Sequence, residues 1–203
     1  MLVGNRMSKN PVTVTPDQLL SEARQKMETG GFRRLPVVSD GRLVGIVTDR
    51  EMREHIGHLE HTKVNGAMTE KVITVSPSTT LEEAAQLLLR NKIGGLPVVE
   101  QHRLVGIITI SDILKAFLDL MGASQEASKR IDFILEGEDR GFVEASRIVS
   151  REGGEILGVG TYRESQGKSP VCYLRLISGD AEQIAKALRA SGFDVMGVHR
   201  AGE

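Results

Sequence analysis

The feature that most constrains the fold of this chain is a stretch of sequence that occurs twice. LPVVSDGRLVGIVTDRE occupies residues 35–51, and LPVVEQHRLVGIITISD occupies residues 96–112. A shift of 61 positions aligns residues 7–52 with residues 68–113 without a gap, and 18 of the 46 aligned positions are identical. A match of this length indicates an internal duplication, so the first two thirds of the chain must fold as two similar units.

Each copy has the same predicted order of elements. A short β-branched run (PVTV or VITV) precedes a proline and an amphipathic helical pattern. Two β-rich runs, LPVV and RLVGI, then flank a turn of hairpin length, and a second apolar helix follows. The predicted unit is β-α-β-β-α. Such a unit leaves a sheet face half exposed, and two copies can cover it by packing about a pseudo-twofold axis.

The LPVV hairpin, the G-I-[VI]-T-x-x-[DE] ending and the tandem arrangement resemble a pair of cystathionine-β-synthase (CBS) domains. The resemblance covers about residues 1–121, with the first repeat predicted at 1–61 and the second at 62–121. It implies a regulatory module that binds an adenosine-containing ligand, namely AMP, ADP, ATP or S-adenosylmethionine, in clefts between the repeats. It implies no catalytic cofactor.

An adenosine site needs a carboxylate for the ribose hydroxyls, a nearby hydroxyl, an apolar slot for the base and cations for phosphate. In the family, one cleft combines the T-x-x-D of one repeat with the early strands of the other. The favoured nucleotide site is therefore predicted to contain Thr109, Asp112, Val12, Phe32, Arg33 and Arg34.

The companion cleft is predicted to be weaker, because Glu51 stands where the family usually has Asp and because two glycines replace the arginine pair. Its predicted residues are Thr48, Glu51, Val72, Ile93 and Gly94. Thr-x-x-acid before a helix is also a capping box, which satisfies backbone donors and binds no ligand. For Thr48 and Glu51 the cap is the favoured interpretation, whereas for Thr109 and Asp112 the shorter acid favours ligand contact.

The last third of the chain has a different pattern. After a connection at 122–128, residues 129–203 are predicted to form strands and helices in the order β-α-β-β-α-β. A helix is expected to begin at Asp180, with Gln183 completing its capping box. This order resembles an ACT domain, a regulatory module that often binds amino acids. The resemblance implies a ligand loop of Gly137, Glu138, Asp139, Arg140 and Gly141, for which a plain connecting turn is the alternative.

Other motifs predict little chemistry. His55, His58 and His61 are interpreted as part of a solvated linker and Cys172 as a buried apolar residue, so no metal is expected. A net charge of −1 does not favour nucleic acid or an anionic membrane as a partner, and no apolar run approaches the ~20 residues needed to span a bilayer. A single cysteine and the lack of a signal-like N-terminus predict a cytoplasmic protein.

The predicted fold class is α+β: a tandem CBS pair followed by a ferredoxin-like ACT domain. The predicted function is a non-catalytic ligand sensor, and homodimerisation is expected from both resemblances. The combined layout resembles the acetoin-utilization regulatory proteins of bacteria, which suggests a partner protein in carbon metabolism or energy sensing. The alternatives are an accessory enzyme subunit acting on the bound nucleotide and a structural dimerisation protein with empty clefts.

Overall fold

The computed structural model of the chain describes residues 1–124, 128–134 and 140–200, except for the side chain of Arg140. These residues form two compact units, Met1–Leu114 and Lys115–Glu203. The strands are β1 (Ser8–Lys9), β2 (Arg34–Ser39), β3 (Arg42–Thr48), β4 (Gly95–Glu100), β5 (Arg103–Thr109), β6 (Lys129–Ile134), β7 (Glu155–Tyr162), β8 (Val171–Ser178) and β9 (Val195–Arg200). The α-helices are α1 (Leu20–Gly30), α2 (Asp49–Glu54), α3 (Leu81–Asn91), α4 (Ile110–Leu120), α5 (Arg140–Arg151) and α6 (Ala181–Ala190).

The duplicated sequence folds into duplicated hairpins. β2 pairs antiparallel with β3, and β4 pairs with β5 in the equivalent register, and in each hairpin the register shifts once, between the two valines of LPVV. The connecting turns contain Asp40–Gly41 and Gln101–His102, and all four residues have positive φ. Two consecutive left-handed residues match the twist of a tight hairpin, so both turns keep the same shape although only one has glycine.

The two hairpins meet at a pseudo-twofold axis. β3 and β5 pair through Arg42 and Arg103, which occupy the same position in the two repeats. The sheet order is β1-β5-β3-β2, with β4 paired to the other side of β5. Buried apolar residues of α1 and α3, such as Leu20 and Leu88, pack beneath this sheet at 0% and 1% exposure. The two repeats are therefore joined through their strands, and the burial of one sheet face against the other stays a prediction.

The segment that leads into each repeat crosses to the other repeat. β1 in the first repeat pairs with β5 of the second, while Thr69, near the start of the second repeat, bridges Ile46 of β3. β3 and β5 each have a glycine beside the crossing segment. A Cβ added to Gly106 would lie 2.5 Å from Met7 Sδ, and a Cβ added to Gly45 would lie 2.6 Å from Met68 Sδ. The glycine of the repeated LVGI motif thus makes room for the crossing methionine.

The predicted opening strands are shorter than expected. PVTV and VITV contribute only one parallel bridge each, Val14 to Val37 and Val75 to Val98, outside the named strands. The β-branched residues are extended and bury Val14 and Val75, but the proline two residues later and the turn that follows end the pairing. The prediction of a full first strand in each repeat was wrong.

The C-terminal unit contains the predicted order β-α-β-β-α-β. Its sheet has the order β7-β8-β6-β9, and all pairings are antiparallel. Alternate residues of the central strands, such as Ile131, Phe133 and Leu174, are fully buried with residues of α5 and α6. The burial of one sheet face under two helices follows from the period-two alternation in the sequence.

Helix α6 begins as predicted at Asp180, whose Oδ1 accepts hydrogen bonds from the backbone N–H groups of Glu182 and Gln183 at 3.0 and 3.3 Å. The other half of the expected capping box is different. The Gln183 side chain donates to Glu152 at 3.1 Å rather than to the backbone of Asp180. The predicted hydrogen bond from the Gln183 side chain to the helix start is wrong, because this side chain binds Glu152, which lies 31 residues away in the sequence.

The crossover can be tested at the glycine of the second LVGI motif. We expect Gly106→Ala to lower the free energy of unfolding by about 1–3 kcal/mol, because the added methyl overpacks against Met7 and the Ser8 carbonyl. The control is Gly66→Ala, where the nearest atom lies 3.8 Å from the added Cβ. Urea unfolding measures both, and equal stabilities of the two variants would contradict the crossover.

Candidate functional site

The candidate site is a cavity between the two repeats of the first unit. Its volume is about 750 Å³, which is in the range of pockets that hold a nucleotide-sized ligand. The structure brings together in it all six residues that the sequence assigned to the favoured site. The lining comprises Ser8, Lys9, Asn10, Pro11, Val12, Gly31, Phe32, Arg33, Arg34, Leu35 and Pro36 from the first repeat and Gly94, Ile107, Thr109, Ile110, Ser111 and Asp112 from the second.

Asp112 and Thr109 form the acidic corner of this cavity. Asp112 Oδ2 accepts hydrogen bonds from the Thr109 backbone N–H at 2.9 Å and from the Thr109 hydroxyl at 2.7 Å. The Asp112 backbone N–H lies 3.4 Å from Thr109 Oγ1. The capping box is therefore formed here as well, although the shorter acid was expected to suit it less well than Glu51. Among the described residues, hydrogen bonds reach only Oδ2 of this carboxylate, so Oδ1 stays available to a ligand.

The apolar part of the wall comes from the first repeat. Phe32 and Val12 are both 42% exposed, and Pro11 and Pro36 line the same cavity. Phe32 follows the end of α1, where Gly31 adopts φ +65° and reverses the chain. A Cβ on Gly30 would lie 2.1 Å from the Phe32 ring, so glycine at position 30 lets the ring fold back beside the helix end. The result is a flat apolar surface that suits a planar base.

The two adjacent arginines have different surroundings. Arg34 Nη1 donates to the carbonyl oxygen of Gly94 at 2.8 Å, and this contact joins the two repeats. Burial lowers the pKa of Arg34, while Asp49 raises it and Arg33 lowers it further. Arg33 is exposed on the cavity wall. Arg34 is thus held by the protein, whereas Arg33 is the guanidinium that can turn to a ligand.

Lys9 is a cation of the cavity that the sequence analysis missed. It is exposed on β1, which the crossover carries to the strand next to Thr109. Lys9, Arg33 and Arg34 give this cavity three cations against one carboxylate, Asp112. The repeat alignment contained the signal, because Glu70 stands at the position equivalent to Lys9. The charge at this position therefore differs in sign between the two repeats.

The residues predicted for the companion cleft are placed differently. Thr48 and Glu51 form a full capping box at the start of α2, in which the Glu51 carboxylate accepts from the Thr48 backbone N–H at 2.8 Å. Gly94 lines the first cavity instead. Arg34 packs so closely there that a Cβ on Gly94 would lie 2.3 Å from Arg34 Nη2. Val72 and Ile93 are half-buried.

The remaining candidates are described only in part. Gly137, Glu138 and Asp139 of the predicted amino-acid loop lie outside the described residues, and Arg140 and Gly141 are known here only as the start of α5. Cys172 is 1% exposed, and burial together with the nearby Asp132 raises its pKa to about 11. In the described ranges, no three His, Cys, Asp or Glu side chains are grouped to hold a metal ion, and no helix is long and apolar enough to span a membrane.

The different surroundings of the two arginines predict different stabilities. We expect Arg34→Met to lower the free energy of unfolding by about 1 kcal/mol, because the Gly94 carbonyl loses its side-chain donor. Arg33→Met is the matched control and should change the stability by less than about 0.5 kcal/mol. Urea unfolding measures both. A larger loss for Arg33→Met would mean that the wrong arginine has been assigned the structural contact.

Known sequences resemble the first unit of this chain. The chain is 34% identical over 131 residues to protein MJ1225 of Methanocaldococcus jannaschii, a match covering 57% of this chain and 47% of that protein. It is 33% identical over 114 residues to the CBS domain-containing protein YhcV of Bacillus subtilis, covering 55% and 81%. It is also 39% identical over 109 residues to inosine-5'-monophosphate dehydrogenase of M. jannaschii, but covers only 22% of that enzyme.

Solved structures show the same similarity. A Vibrio cholerae protein provisionally assigned to acetoin utilization (AcuB) matches with a TM-score of 0.56 and 32% identity, over 63% of this chain and 97% of that one. The CBS domain pair of MJ0100, solved with 5'-methylthioadenosine and S-adenosylmethionine, matches with a TM-score of 0.55 and 29% identity, over 62% and 98%. CBSX2, solved with AMP, matches with a TM-score of 0.53 and 32% identity, over 58% and 96%.

The sequence profile of the CBS domain matches residues 3–58 and 64–119, once for each repeat. The match coincides with the duplication, the paired hairpins and the cavity between the repeats. This chain belongs to the CBS domain family and contains a tandem CBS pair.

Proposed function

We propose that this protein is a non-catalytic sensor that binds an adenosine-containing nucleotide in the cavity between its CBS repeats. The observation that carries the proposal is the composition of that cavity. An acidic corner from one repeat faces an apolar surface and a group of cations from the other. These are the groups that recognise a ribose, a base and a phosphate respectively.

The ribose is proposed to bind at Asp112. Its Oδ2 is engaged by Thr109, so the carboxylate is oriented before a ligand arrives, and Oδ1 can accept hydrogen bonds from the ribose hydroxyls. The base would lie against Phe32 and Val12, which are the exposed apolar side chains of the opposite wall. The Thr109 hydroxyl, which donates to Asp112, still has lone pairs to accept a further hydrogen bond.

The phosphates are proposed to bind at Lys9 and Arg33. Both side chains are exposed in the cavity, and Arg34 adds a third positive charge beside them. Three cations against one carboxylate favour an anionic ligand, so we propose that the affinity rises from adenosine through AMP and ADP to ATP. S-adenosylmethionine carries a positive sulfonium in place of phosphate and should bind more weakly here.

The similar structures support an adenosine ligand for this class of cavity. CBSX2 was solved with AMP, and the MJ0100 pair with 5'-methylthioadenosine and S-adenosylmethionine. A regulatory effect requires that the ligand bind two arrangements of the protein with different affinities, and its position between two repeats would allow this. We propose that the change is passed to a partner protein in acetoin or carbon metabolism or in energy sensing. The similarity to AcuB supports this link.

The C-terminal unit is proposed to be an ACT-like regulatory module that binds an amino acid. Its element order β-α-β-β-α-β supports this assignment, although the same order occurs with many functions. The proposed ligand loop remains residues 137–141. The companion cleft at Thr48 and Glu51 is proposed as a weaker nucleotide site, since it lacks the cations of the first.

An accessory enzyme subunit is the main alternative. The similarity to inosine-5'-monophosphate dehydrogenase covers only 22% of that enzyme and corresponds to the CBS pair of this chain. Incubation with ATP separates the two functions, because a sensor returns the nucleotide unchanged. A structural protein with empty clefts would bind none of the nucleotides.

Removal of the charge of the proposed ribose acceptor should weaken nucleotide binding. We expect Asp112→Asn to weaken the affinity for the best nucleotide at least tenfold in calorimetric titrations with AMP, ADP, ATP, S-adenosylmethionine and NAD, because an amide replaces a charged acceptor. Asp180→Asn is the matched control, since it alters a capping carboxylate at the start of α6 and not in this cavity. If the wild type binds no nucleotide at millimolar concentration, Asp112 is only a helix cap and the proposal is wrong.

Removal of a proposed phosphate-binding cation should weaken the binding of a charged ligand more than that of an uncharged one. We expect Lys9→Met and Arg33→Met each to weaken ATP binding by about tenfold and adenosine binding by less than twofold, since only ATP contacts the lost charge. Lys71→Met changes the net charge equally at an exposed position that does not line the cavity, and it serves as the control. Equal losses for ATP and adenosine would show that these residues do not bind phosphate.

A further inference from the structure

The sheet of the C-terminal unit has two faces of different character. On one face, Ile131, Phe133 and Leu174 of the central strands belong to the core formed with α5 and α6. Because side chains alternate along a strand, Arg130 of β6 and Arg175 of β8 point to the opposite face. We call the face opposite α5 and α6 the polar face.

Three basic side chains lie in one row across the polar face. Arg130 is the register partner of both Arg175 in β8 and His199 in β9. Neighbouring strands are about 4.8 Å apart, so these three side chains start close together. Like charges at directly opposite positions destabilise a sheet, and such a row is unfavourable unless negative charge compensates it. We call Arg130, Arg175 and His199 the basic row.

The carboxylate of Asp132 on this face is already used by one member of the basic row. Arg130 Nε donates to Asp132 Oδ1 at 2.6 Å, and Arg130 Nη2 donates to Oδ2 at 2.7 Å. The Tyr162 hydroxyl adds a hydrogen bond to Oδ2 at 3.2 Å, and Asp132 is only 4% exposed. The charge of Asp132 therefore balances that of Arg130 and leaves Arg175 without a carboxylate partner among the described residues.

Arg175 is a buried cation whose pairing is incomplete. It is 7% exposed, and its Nη1 donates to Ser128 Oγ at 2.9 Å. Within the described ranges, Arg175 Nε has no hydrogen-bond partner. Burial lowers the pKa of Arg175, and the charge of Arg130 lowers it further. A buried charge without an opposite charge is costly, so the polar face has positive charge that the described part of the chain does not neutralise.

Arg130 is fixed in an orientation that leaves one nitrogen for a ligand. Its guanidinium lies 4.4 Å from the centre of the Tyr173 ring and 5.6 Å from that of Tyr162. The ion pair with Asp132 uses Nε and Nη2, so Nη1 takes no part in it. His199 lies beside this pair, with its side chain 62% exposed and its Nε2 4.0 Å from Asp132 Oδ2. An anion can therefore approach both donors from solvent.

We propose that the basic row binds a small oxyanion, a carboxylate or a phosphate, on the polar face of the C-terminal unit. Arg130 Nη1 and the protonated ring of His199 contact the anion, because a guanidinium matches the geometry of both groups. Arg175 adds positive potential from beneath without contacting the anion. The row crosses β6 near its start, whereas the proposed amino-acid loop follows the end of that strand.

The test uses the full chain with Lys9→Met and Arg33→Met, so that the cations of the nucleotide cavity do not compete for the anion. Citrate and inorganic phosphate are titrated separately at about pH 6, where a histidine of ordinary pKa is largely protonated. Sodium chloride at equal ionic strength is the reference. We expect the imidazole NMR signal of His199, identified by its loss in His199→Gln, to shift and saturate with one or both anions. The signal of His61 in the first unit should not shift.

A conservative variant tests the geometry of the site. Arg130→Lys keeps the charge beside Asp132 but loses the guanidinium fork, and we expect it to weaken anion binding about fivefold or more. Arg189→Met is the control, since it removes an exposed charge from α6 and should leave the affinity unchanged. Circular dichroism and thermal unfolding check that the variants are folded. His199→Gln alters an exposed side chain, and in calorimetry it should weaken binding about threefold or more.

The two anions separate the possible ligands. Saturation with citrate alone supports the site and assigns it to a carboxylate, and saturation with phosphate alone supports it and assigns it to a phosphate. A His199 signal that moves with neither anion, or that moves equally with sodium chloride, would overturn the proposal. Equal affinities of folded Arg130→Lys and Arg189→Met would overturn it as well. ATP titrations of the wild type are separate, so a failure here is distinct from a failure of the nucleotide proposal.

Discussion

The structure of the first unit depends on the crossing of each leading segment to the opposite repeat. β1 pairs with β5, and Thr69 bridges β3, so neither repeat completes its sheet from its own residues. Backbone hydrogen bonds and the fit of Met7 and Met68 over two glycines hold the crossing in place. The cavity follows from the same crossing, because it puts Ser8 to Val12 of the first repeat next to Thr109 and Asp112 of the second.

The duplication gives the two repeats the same fold, and different residues at a few equivalent positions make their two clefts differ. The pair Arg33–Arg34 corresponds to Gly94–Gly95, and the two pairs fit together, since the Arg34 side chain lies over both glycines. A second arginine pair could not occupy that space. The contact therefore leaves one cavity with three cations while the equivalent cleft has none from this pair. The arginine pair and the glycine pair thus determine both the packing between the repeats and the charge of the cavity.

The same inequality extends to the outer helices. In the first repeat, charged residues pair along α1 and α2, whereas apolar residues replace them along α3 and α4. The C-terminal unit has a separate core, which includes Cys172 and is enclosed between a sheet and two helices.

The sequence by itself determined the repeat, the order of most elements and the composition of the favoured site. Periodicity and the 61-residue shift carry this information, because hairpins and helices depend on local spacing and because equivalent positions of a duplication share a fold. It also indicated that Cys172 is buried. It did not determine the short opening strands, the capping box at Asp112, the partner of Gln183 or the contribution of Lys9.

The tertiary structure decided those points because each depends on residues far apart in the chain. Lys9 enters the cavity only because β1 crosses to the second repeat, and Arg34 becomes a packing residue only because Gly94 lies beneath it. Two adjacent arginines look alike in a sequence, since both have the same charge and reach. What separates them is burial: one guanidinium is desolvated and bonded to a carbonyl of the other repeat, and the other remains exposed.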